Sequence, residues 1–411
     1  MKILFLHNNF PAQFGHIGNY LAREGWDVRY LTQRKGATSD LINITVYRDR
    51  DQPEEHKIGH PGLQSTGKAV ITGASALEVG LHLREKEGYI PDVMVAHSGW
   101  GPGLFLKDVW PEAKMVGYFE WYYKGEADDI VFMRGPGRPA GEKARERMRN
   151  ASIALELIEC DAGLVPTAYQ ASQIPELFHH KIRIMHDGVD TDMYAPGDPG
   201  EVKFGDETFR KGDEILTYVA RGMEPYRGFP EFMNALEVLQ KRRPNLRTII
   251  VGEDRTAYGK PLKSGKTFKE DALERLDLDL SRITFTGLLP RPEYKKVLLL
   301  SSLHVYFTVP FVLSWSMMES LSAGCLLLGS DTAPVRELIE DGKNGYLTDY
   351  RDRDRLVEDM NRLLETRDEH EHVRKAARET ITDSYAAKDL YPAKKAFFAD
   401  VAKGRSFGRG E

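Results

Sequence analysis

The sequence predicts an α/β protein that contains two doubly wound units, each built around a parallel sheet. Apolar runs of strand length alternate with amphipathic runs of helix length, which is the pattern of parallel strands joined by crossover helices. The 411 residues suit two or three domains. The stretch Ala195–Arg210 is rich in proline and glycine and has the composition of a linker between one α/β series and the next.

The first series predicts the N-terminal unit. A helix is expected near Gly15–Glu24 and one long helix over Gly141–Glu159. The basic residues of the long helix are interleaved with Glu142 and Glu146, so we interpret them as a solvated face; a basic surface for an anionic acceptor or a membrane is the alternative. Buried strands are predicted at Ile3–His7, Asp27–Leu31, Val93–His97, Lys114–Phe119 and Gly163–Pro166.

The second series predicts a C-terminal unit, followed by a last helix at Lys388–Ala402. The uncharged stretch Val297–Met318 is long enough to span a bilayer, but serines and Pro310 interrupt it. We therefore interpret it as a helix end, a buried strand, a turn and a new helix near Ser316. Buried strands are predicted at Ile215–Ala220, Arg247–Val251, Ile283–Thr286, Leu303–Phe307 and Cys325–Gly329.

Composition argues against several classes of protein. The chain has 57 Lys and Arg against 62 Asp and Glu, and its net charge of −5 gives no reason to expect nucleic-acid binding. Two cysteines, Cys160 and Cys325, cannot form a disulfide framework and favour a cytoplasmic setting. The first strand is not followed by G-x-G-x-x-G and the sequence has no Walker loop, which argues against a dehydrogenase and a P-loop ATPase. Four D-x-D strings are weak metal signals in so acidic a chain: Asp49/Asp51, Asp190/Asp192, Asp277/Asp279 and Asp352/Asp354.

Two arginines follow the predicted strand Ile215–Ala220. Arg221 and Arg227 lie six positions apart at the carboxyl end of that strand, where open α/β sheets bind ligands. Two guanidinium groups there can hold a diphosphate through forked, charge-assisted hydrogen bonds. The structural alternative is that Arg221 only pairs with Glu224 at a turn.

A helix start follows the predicted strand Leu303–Phe307 in the same sheet. Backbone N–H groups at such a start can hold phosphate oxygens, assisted by the helix dipole. Glu319, on the first turns of this helix, can accept hydrogen bonds from a ribose diol, and a buried or capping carboxylate is the alternative. Because both clusters lie at strand ends of one sheet, a nucleoside diphosphate is the expected ligand.

With these motifs the sequence resembles the retaining glycosyltransferases of family four, over essentially the whole chain. That family has the type B (GT-B) fold, in which two Rossmann-like domains face a central cleft. The resemblance rests on Arg221 and Arg227, the Glu319 helix, and three further segments of the family pattern: His186–Thr191, Gly329–Ile339 and Asp341–Leu347.

The resemblance implies an acceptor domain at residues 1–200, completed by a crossing helix at about 386–411, and a donor domain at residues 201–385. The donor would be a sugar on UDP or GDP, the acceptor an unidentified hydroxyl compound, and no metal or cofactor would be needed. A homodimer and peripheral contact with a membrane are left open. The implied catalytic residues are Arg221, Arg227, Glu120 and His97. The implied donor-binding residues are Gly222, Leu288, Val312, Leu313, Ser314, Ser316 and Glu319. The acceptor side or a phosphate loop would be lined by Gln13, Phe14 and Gly15.

The sequence departs from the family pattern at three positions. Phe311 replaces the first of the family's two glutamates, which are separated by seven intervening residues; Glu120 follows the strand after which the family usually carries a histidine, and Arg227 replaces a usual lysine. The first two changes keep two alternatives open, a non-catalytic sugar-nucleotide binder and a sugar-nucleotide epimerase. The aromatic group Phe119, Trp121, Tyr122 and Tyr123 can stack on a sugar ring or belong to the core.

Overall fold

The structure is a computed structural model that describes residues 1–51 and 59–405. The chain divides into two compact units, Gly188–Ala387 and Met1–Asp187 with the segment from Lys388 onward. The first boundary therefore lies at Asp187/Gly188 and not at 200/201. The reason is that residues after Asp187 join the second unit, where the Val189 N–H donates to the Tyr385 carbonyl at 2.8 Å and the Ser322 hydroxyl donates to the Tyr194 carbonyl at 3.0 Å.

Seven described strands form the parallel sheet of the first unit, in the order β3-β2-β1-β4-β5-β6-β7. Alternate residues of β1 enter two different clusters, with Ile3 and Phe5 on one face and Leu4 and Leu6 on the other. Both faces are therefore buried, which explains the continuous apolar runs. The strands are β1 Lys2–Leu6, β2 Asp27–Thr32, β3 Asn43–Val46, β4 Val93–His97, β5 Lys114–Tyr118, β6 Ala162–Val165 and β7 Ile182–Ile184.

The helices of the first unit correct one prediction. The expected long helix over Gly141–Glu159 is broken at Arg149 and Asn150 into two helices. The Asn150 side chain stabilises this break, because it accepts a hydrogen bond from the Tyr123 N–H at 2.8 Å and donates one to the Tyr123 carbonyl at 2.6 Å. The helices are α1 Gly15–Arg23, α2 Gln64–Glu87, α3 Leu106–Val109, α4 Asp128–Arg134, α5 Ala140–Met148, α6 Ala151–Glu159 and α7 Ala168–Ala171.

The second unit contains a six-stranded parallel sheet and a small hairpin. The hairpin occupies part of Ala195–Arg210, so the prediction of a linker is wrong for those residues. The side chains of Val202 and Phe209 are buried in the hydrophobic core and hold this otherwise polar stretch against it. The sheet order is β12-β11-β10-β13-β14-β15. The strands are β8 Val202–Phe204, β9 Glu207–Phe209, β10 Ile215–Gly222, β11 Arg247–Glu253, β12 Ile283–Gly287, β13 Leu303–Tyr306, β14 Leu327–Ser330 and β15 Tyr346–Thr348.

Side-chain caps fix several helix starts of the second unit. Thr267 and Glu270 form a capping box at the start of α9, and Asp352 caps α13. The stretch Val297–Met318 is a helix end, strand β13, a turn and helix α11, as predicted. The helices are α8 Phe229–Arg242, α9 Phe268–Arg275, α10 Arg291–Leu300, α11 Trp315–Ser322, α12 Ala333–Arg336, α13 Arg353–Glu365 and α14 Glu371–Ser384.

The last helix, α15 (Ala387–Ala402), returns to the first unit. Phe397 and Phe398 enter the cluster that contains Phe5. Lys394 is buried with its Nζ 3.5 Å from Asp187 Oδ1, and burial lowers the pKa of this lysine. Residues 406–411 of the predicted crossing segment lie outside the described residues.

Both sheets have a reversal of strand order beside their first strand. In the first unit β1 lies between β2 and β4, and in the second unit β10 lies between β11 and β13. At such a switch point the connections leave on opposite faces of the sheet, which opens a crevice at the carboxyl ends of the strands. Each unit therefore offers one position where a ligand site is expected.

Candidate active site

The turn after β10 carries two buried residues of opposite charge, Glu224 and Arg227. The Glu224 carboxylate accepts hydrogen bonds from three backbone N–H groups of the loop after β11, at 2.6–3.0 Å: those of Ala257, Tyr258 and Gly259. It therefore does not serve as the partner of Arg221, which removes the alternative considered for Arg221. Instead Glu224 fixes the β11 loop to the β10 turn.

Arg227 fixes a second loop, the one after β13. Its Nη1 donates to the Tyr306 hydroxyl at 3.0 Å and to Thr308 Oγ1 at 2.8 Å, and its Nη2 donates to the Val312 carbonyl at 3.0 Å. The guanidinium is buried. Its part in binding a diphosphate stays a prediction, and the contacts present in this structure are structural ones.

Arg221 differs from Arg227 in its surroundings. It lies at the end of β10 and is exposed, and in the described part of the chain its side chain makes no hydrogen bond or ion pair. The adjacent Gly222 is required for packing, because a Cβ there would lie 2.6 Å from the Arg255 carbonyl oxygen. Arg221 is thus a cation at the switch point of the second sheet that is available to an anion.

The start of α11 lies at the end of the neighbouring strand β13. Ser314 caps the helix by accepting a hydrogen bond from the Ser316 N–H, and the two serine hydroxyls are 2.8 Å apart. The Ser314 N–H donates to the Tyr306 hydroxyl at 2.8 Å, so Tyr306 joins the helix start to Arg227. The Leu313 side chain enters the core, and Val312 offers its carbonyl to Arg227.

Glu319 is largely buried on α11. Burial raises the pKa of its carboxyl, while the nearby Tyr294 and Tyr194 hydroxyls and the Arg291 guanidinium act in the opposite direction. These three neighbours were not predicted from the sequence. Leu288, after β12, is 63% exposed, as a residue that contacts a ligand can be.

Aromatic packing surrounds Phe311, at the position of the family's first glutamate. Its ring meets Tyr226 edge to face at a centroid distance of 5.5 Å and Tyr258 at 5.4 Å. Tyr258 is held by Glu224 through its backbone N–H. An aromatic group therefore stands at the edge of the donor-side candidate residues where the family pattern has a carboxylate.

The first unit brings three predicted residues together at its own switch point. His97, at the end of β4, has its Nε2 3.4 Å from Glu120 Oε2, and Gln13 Nε2 donates to Glu120 Oε1 at 2.6 Å. His97 Nδ1 lies 3.1 Å from the Ser98 carbonyl oxygen. The cluster can place a carboxylate, an amide and an imidazole around a hydroxyl group.

The other two predicted residues of the first unit are structural. Phe14 is buried and stacks on Phe5 at 5.2 Å, so it belongs to the core and not to a ligand contact. Gly15 begins α1, and a Cβ there would lie 2.4 Å from the Pro11 Cβ, which explains the glycine by packing. Phe119 and Trp121, of the predicted aromatic group, are also buried.

Glu156, on α6, is a buried carboxylate behind this cluster that sequence analysis missed. It accepts hydrogen bonds from the Ser98 hydroxyl at 2.5 Å and the Gly99 N–H at 2.8 Å. Burial raises its pKa to about 7, against the opposing effect of these two donors. Its place on an amphipathic helix gave no signal, because partners 57 and 58 positions away are visible only in the fold.

Two further properties bear on chemistry. Across residues 1–51 and 59–405, no group of three or more His, Cys, Asp or Glu side chains is arranged to hold a metal ion. Within the same ranges, every helix is too short or too polar to cross a membrane.

Family comparisons agree with the two-unit architecture. A model described as Glycosyl transferase family 4 group matches residues 24–194, and one described as Glycosyl transferases group 1 matches residues 201–380. The chain belongs to the family 4 glycosyltransferases. No curated protein matches the sequence significantly.

Solved structures share the fold of this glycosyltransferase. Sucrose-phosphate synthase of Thermosynechococcus elongatus has a TM-score of 0.71 at 14% identity, over 98% of this chain and 99% of the other. Anabaena Alr3699/HepE in complex with UDP-glucose has a TM-score of 0.68 at 15% identity, over 97% and 100%. A Rickettsia africae glycosyltransferase has a TM-score of 0.66 at 12% identity, over 98% of each chain. The predicted α/β class with a GT-B fold is confirmed.

Proposed function

We propose that this glycosyltransferase transfers a sugar from UDP to a hydroxyl group of an acceptor, with retention of configuration and without a bound metal. The observation that carries the proposal is Arg221, an exposed arginine without an ionic partner among the described residues, at the switch point of the second sheet. The choice of UDP is supported by the relative of the same fold that binds UDP-glucose.

The second unit would hold the donor. Arg221 would bind the diphosphate by charge-assisted hydrogen bonds, and the start of α11 at Ser314 would add the favourable end of a helix dipole. Glu319 would accept hydrogen bonds from the ribose diol. In this arrangement the protein neutralises the leaving group, a task that a metal ion performs in other transferases.

In the reaction the bond between the anomeric carbon and the diphosphate oxygen breaks, and the acceptor oxygen bonds to the same face of that carbon. The acceptor proton passes to the departing diphosphate oxygen, which accounts for retention without a protein nucleophile. Glu120 and His97 would orient the acceptor hydroxyl or the donor sugar by hydrogen bonds. UDP, now carrying the proton, leaves as the second product.

Nucleotide binding and product stereochemistry test the proposal. UDP at about 100 times its Kd adds roughly 2.7 kcal/mol of stability, so UDP should raise Tm where UMP and uridine raise it less. Turnover of UDP-glucose, UDP-galactose and UDP-N-acetylglucosamine is then followed in EDTA, and NMR coupling constants give the anomeric configuration of the product. An inverted product, or activity only with added metal, would contradict the proposal. A GDP preference would contradict the choice of base.

A further inference from the structure

Trp100 is the exposed tryptophan of this chain. Of the five tryptophans, Trp110 and Trp121 are buried and Trp26 and Trp315 are half-buried, whereas Trp100 is 40% exposed. It follows β4 at the switch point of the first sheet. One ring face stacks on His97 at a centroid distance of 4.3 Å and an angle of 15°. An exposed aromatic ring at the position where this sheet is expected to bind a ligand needs an explanation.

The loop that carries Trp100 is held firmly. Its Ser98 hydroxyl and Gly99 N–H donate to the buried Glu156 carboxylate, and the Ser98 N–H donates to the Tyr118 carbonyl at 2.9 Å. At Gly101 φ is +89°, and a Cβ would lie 1.9 Å from the Ala69 carbonyl oxygen, so only glycine fits. The indole is therefore pre-positioned, and a ligand that stacks on it does not have to order the loop.

Polar groups lie beside the indole. The His97 ring beneath Trp100 is in turn 3.4 Å from the Glu120 carboxylate, which also accepts from Gln13. His7, at the end of β1, meets the indole edge to face at 5.0 Å. The indole is thus flanked by two imidazole rings, and one of them, His97, connects it to the Glu120 carboxylate and the Gln13 amide.

We propose that Trp100 is the platform on which the acceptor binds, and that the acceptor is an uncharged pyranose sugar. A pyranose ring has one face of C–H groups that can lie on the exposed indole, and hydroxyls around its rim that Glu120 and Gln13 can bind. This inference rests on the proposed function, to which it adds the class of acceptor.

Other acceptor classes fit the same residues less well. A lipid chain needs a continuous apolar groove, whereas the rings that contact Trp100 are the polar imidazoles of His97 and His7. An anionic acceptor would be repelled by the Glu120 carboxylate. A small polyol would leave the indole face uncovered, so the ring would add nothing to its binding.

The test uses ¹⁹F NMR of the full chain labelled with 5-fluorotryptophan, which gives five resonances for the five tryptophans. Trp100→Phe and Trp315→Phe assign two of them. The methyl α- and β-pyranosides of glucose, galactose, mannose and N-acetylglucosamine are titrated one at a time, with and without UDP. We expect at least one of them to shift the Trp100 resonance, and UDP to shift that of Trp315 at the start of α11.

Affinity measurements complete the test. Trp100→Ala should weaken binding of that glycoside about tenfold, the upper range for one aromatic stacking contact, and Trp100→Phe less. Leu177→Ala is the matched control, because Leu177 is an exposed apolar residue of the same unit, 66% exposed, and should leave the affinity unchanged. If none of the eight glycosides moves the Trp100 resonance while UDP moves that of Trp315, the acceptor inference is wrong and the proposed function stands. If a glycoside shifts Trp100 but UDP neither shifts Trp315 nor raises Tm, the sugar platform is supported and the proposed function fails.

Discussion

Replacing Arg227 by lysine tests whether Arg227 positions the loop after β13 or only supplies a positive charge. Lysine keeps the positive charge but has a single nitrogen, whereas the Arg227 guanidinium uses two nitrogens to bond Tyr306, Thr308 and the Val312 carbonyl. A residue that only neutralises phosphate should tolerate the change. A residue that positions the β13 loop should not, and we expect Arg227→Lys to be almost as harmful as Arg227→Met.

The contacts give the expected magnitude. Hydrogen bonds to a charged group contribute about 1.5–3 kcal/mol each, and an ammonium in this space can replace only part of three of them. A loss of roughly 2–3 kcal/mol follows, which lowers the Tm of a unit of this size by about 4–12 °C. If the helix start moves with the loop, UDP affinity and kcat/KM fall about tenfold to a hundredfold.

Tyr306 provides the decisive comparison, because its hydroxyl accepts from both Arg227 and the Ser314 N–H. Tyr306→Phe should reproduce part of the defect. In a double-mutant cycle with Arg227→Lys the two changes should be non-additive by about 1 kcal/mol or more. Calorimetric titration with UDP and thermal unfolding measure both effects. An Arg227→Lys protein with wild-type Tm and UDP affinity, or fully additive changes, would refute the positioning role.

Three further predictions use the same assays. Arg221→Ala should lower UDP affinity about tenfold to a hundredfold with Tm unchanged, since Arg221 has no described partner to lose, whereas an unaffected affinity would remove it from the site. Glu224→Gln replaces one of the two accepting carboxylate oxygens with an NH2 donor that faces backbone N–H groups, so we expect about 2 kcal/mol of destabilisation and faster tryptic cleavage at Lys263. An unchanged digestion pattern would contradict the anchoring role. Glu156 has a pKa of about 7 instead of the ordinary 4.5, so it binds its proton more tightly in the folded chain than in the unfolded one. The wild type should therefore lose up to about 3 kcal/mol of stability relative to Glu156→Gln as pH rises from about 5 to 7, and nothing more above about pH 8. A stability difference that does not depend on pH would contradict the burial of this carboxyl group.

The sheets were predictable because their central strands are buried on both faces. The strand Val93–His97 was placed to the residue, and the strand starting at Ile215 to within two residues at its end, since a continuous apolar run is the signature of such a strand. The short edge strand Asn43–Val46 was missed because it is only half-buried and lacks that run. The hairpin at Val202–Phe209 was missed because its anchors are single apolar residues in a polar stretch.

The places of the candidate site residues in the fold were easier to predict from the sequence than the contacts that these residues make. Strand ends pointed to His97, Glu120 and Arg221, which the structure places at or just after the ends of β4, β5 and β10; their roles in binding and catalysis stay predictions. Arg227 looked equivalent to Arg221 in the sequence, but the fold surrounds it with acceptors from positions 306–312, a relation that no local pattern contains. The break at Asn150 likewise depends on a partner 27 positions away. Contacts between residues that are far apart along the chain are therefore the part of the structure that sequence reasoning does not predict.

The turn after β10 shows how a small segment can organise a larger site. Glu224 and Arg227 are three positions apart, yet each is committed to a neighbouring loop and not to the other: Glu224 accepts from the loop after β11, and Arg227 donates to the loop after β13. Because both charges are buried, each loop would leave an unsatisfied ion behind if it moved away, at a cost of several kcal/mol. The two loops on either side of the switch point are therefore held in register with the turn. This leaves Arg221, at the exposed end of the strand, as the cation that is free to meet a ligand.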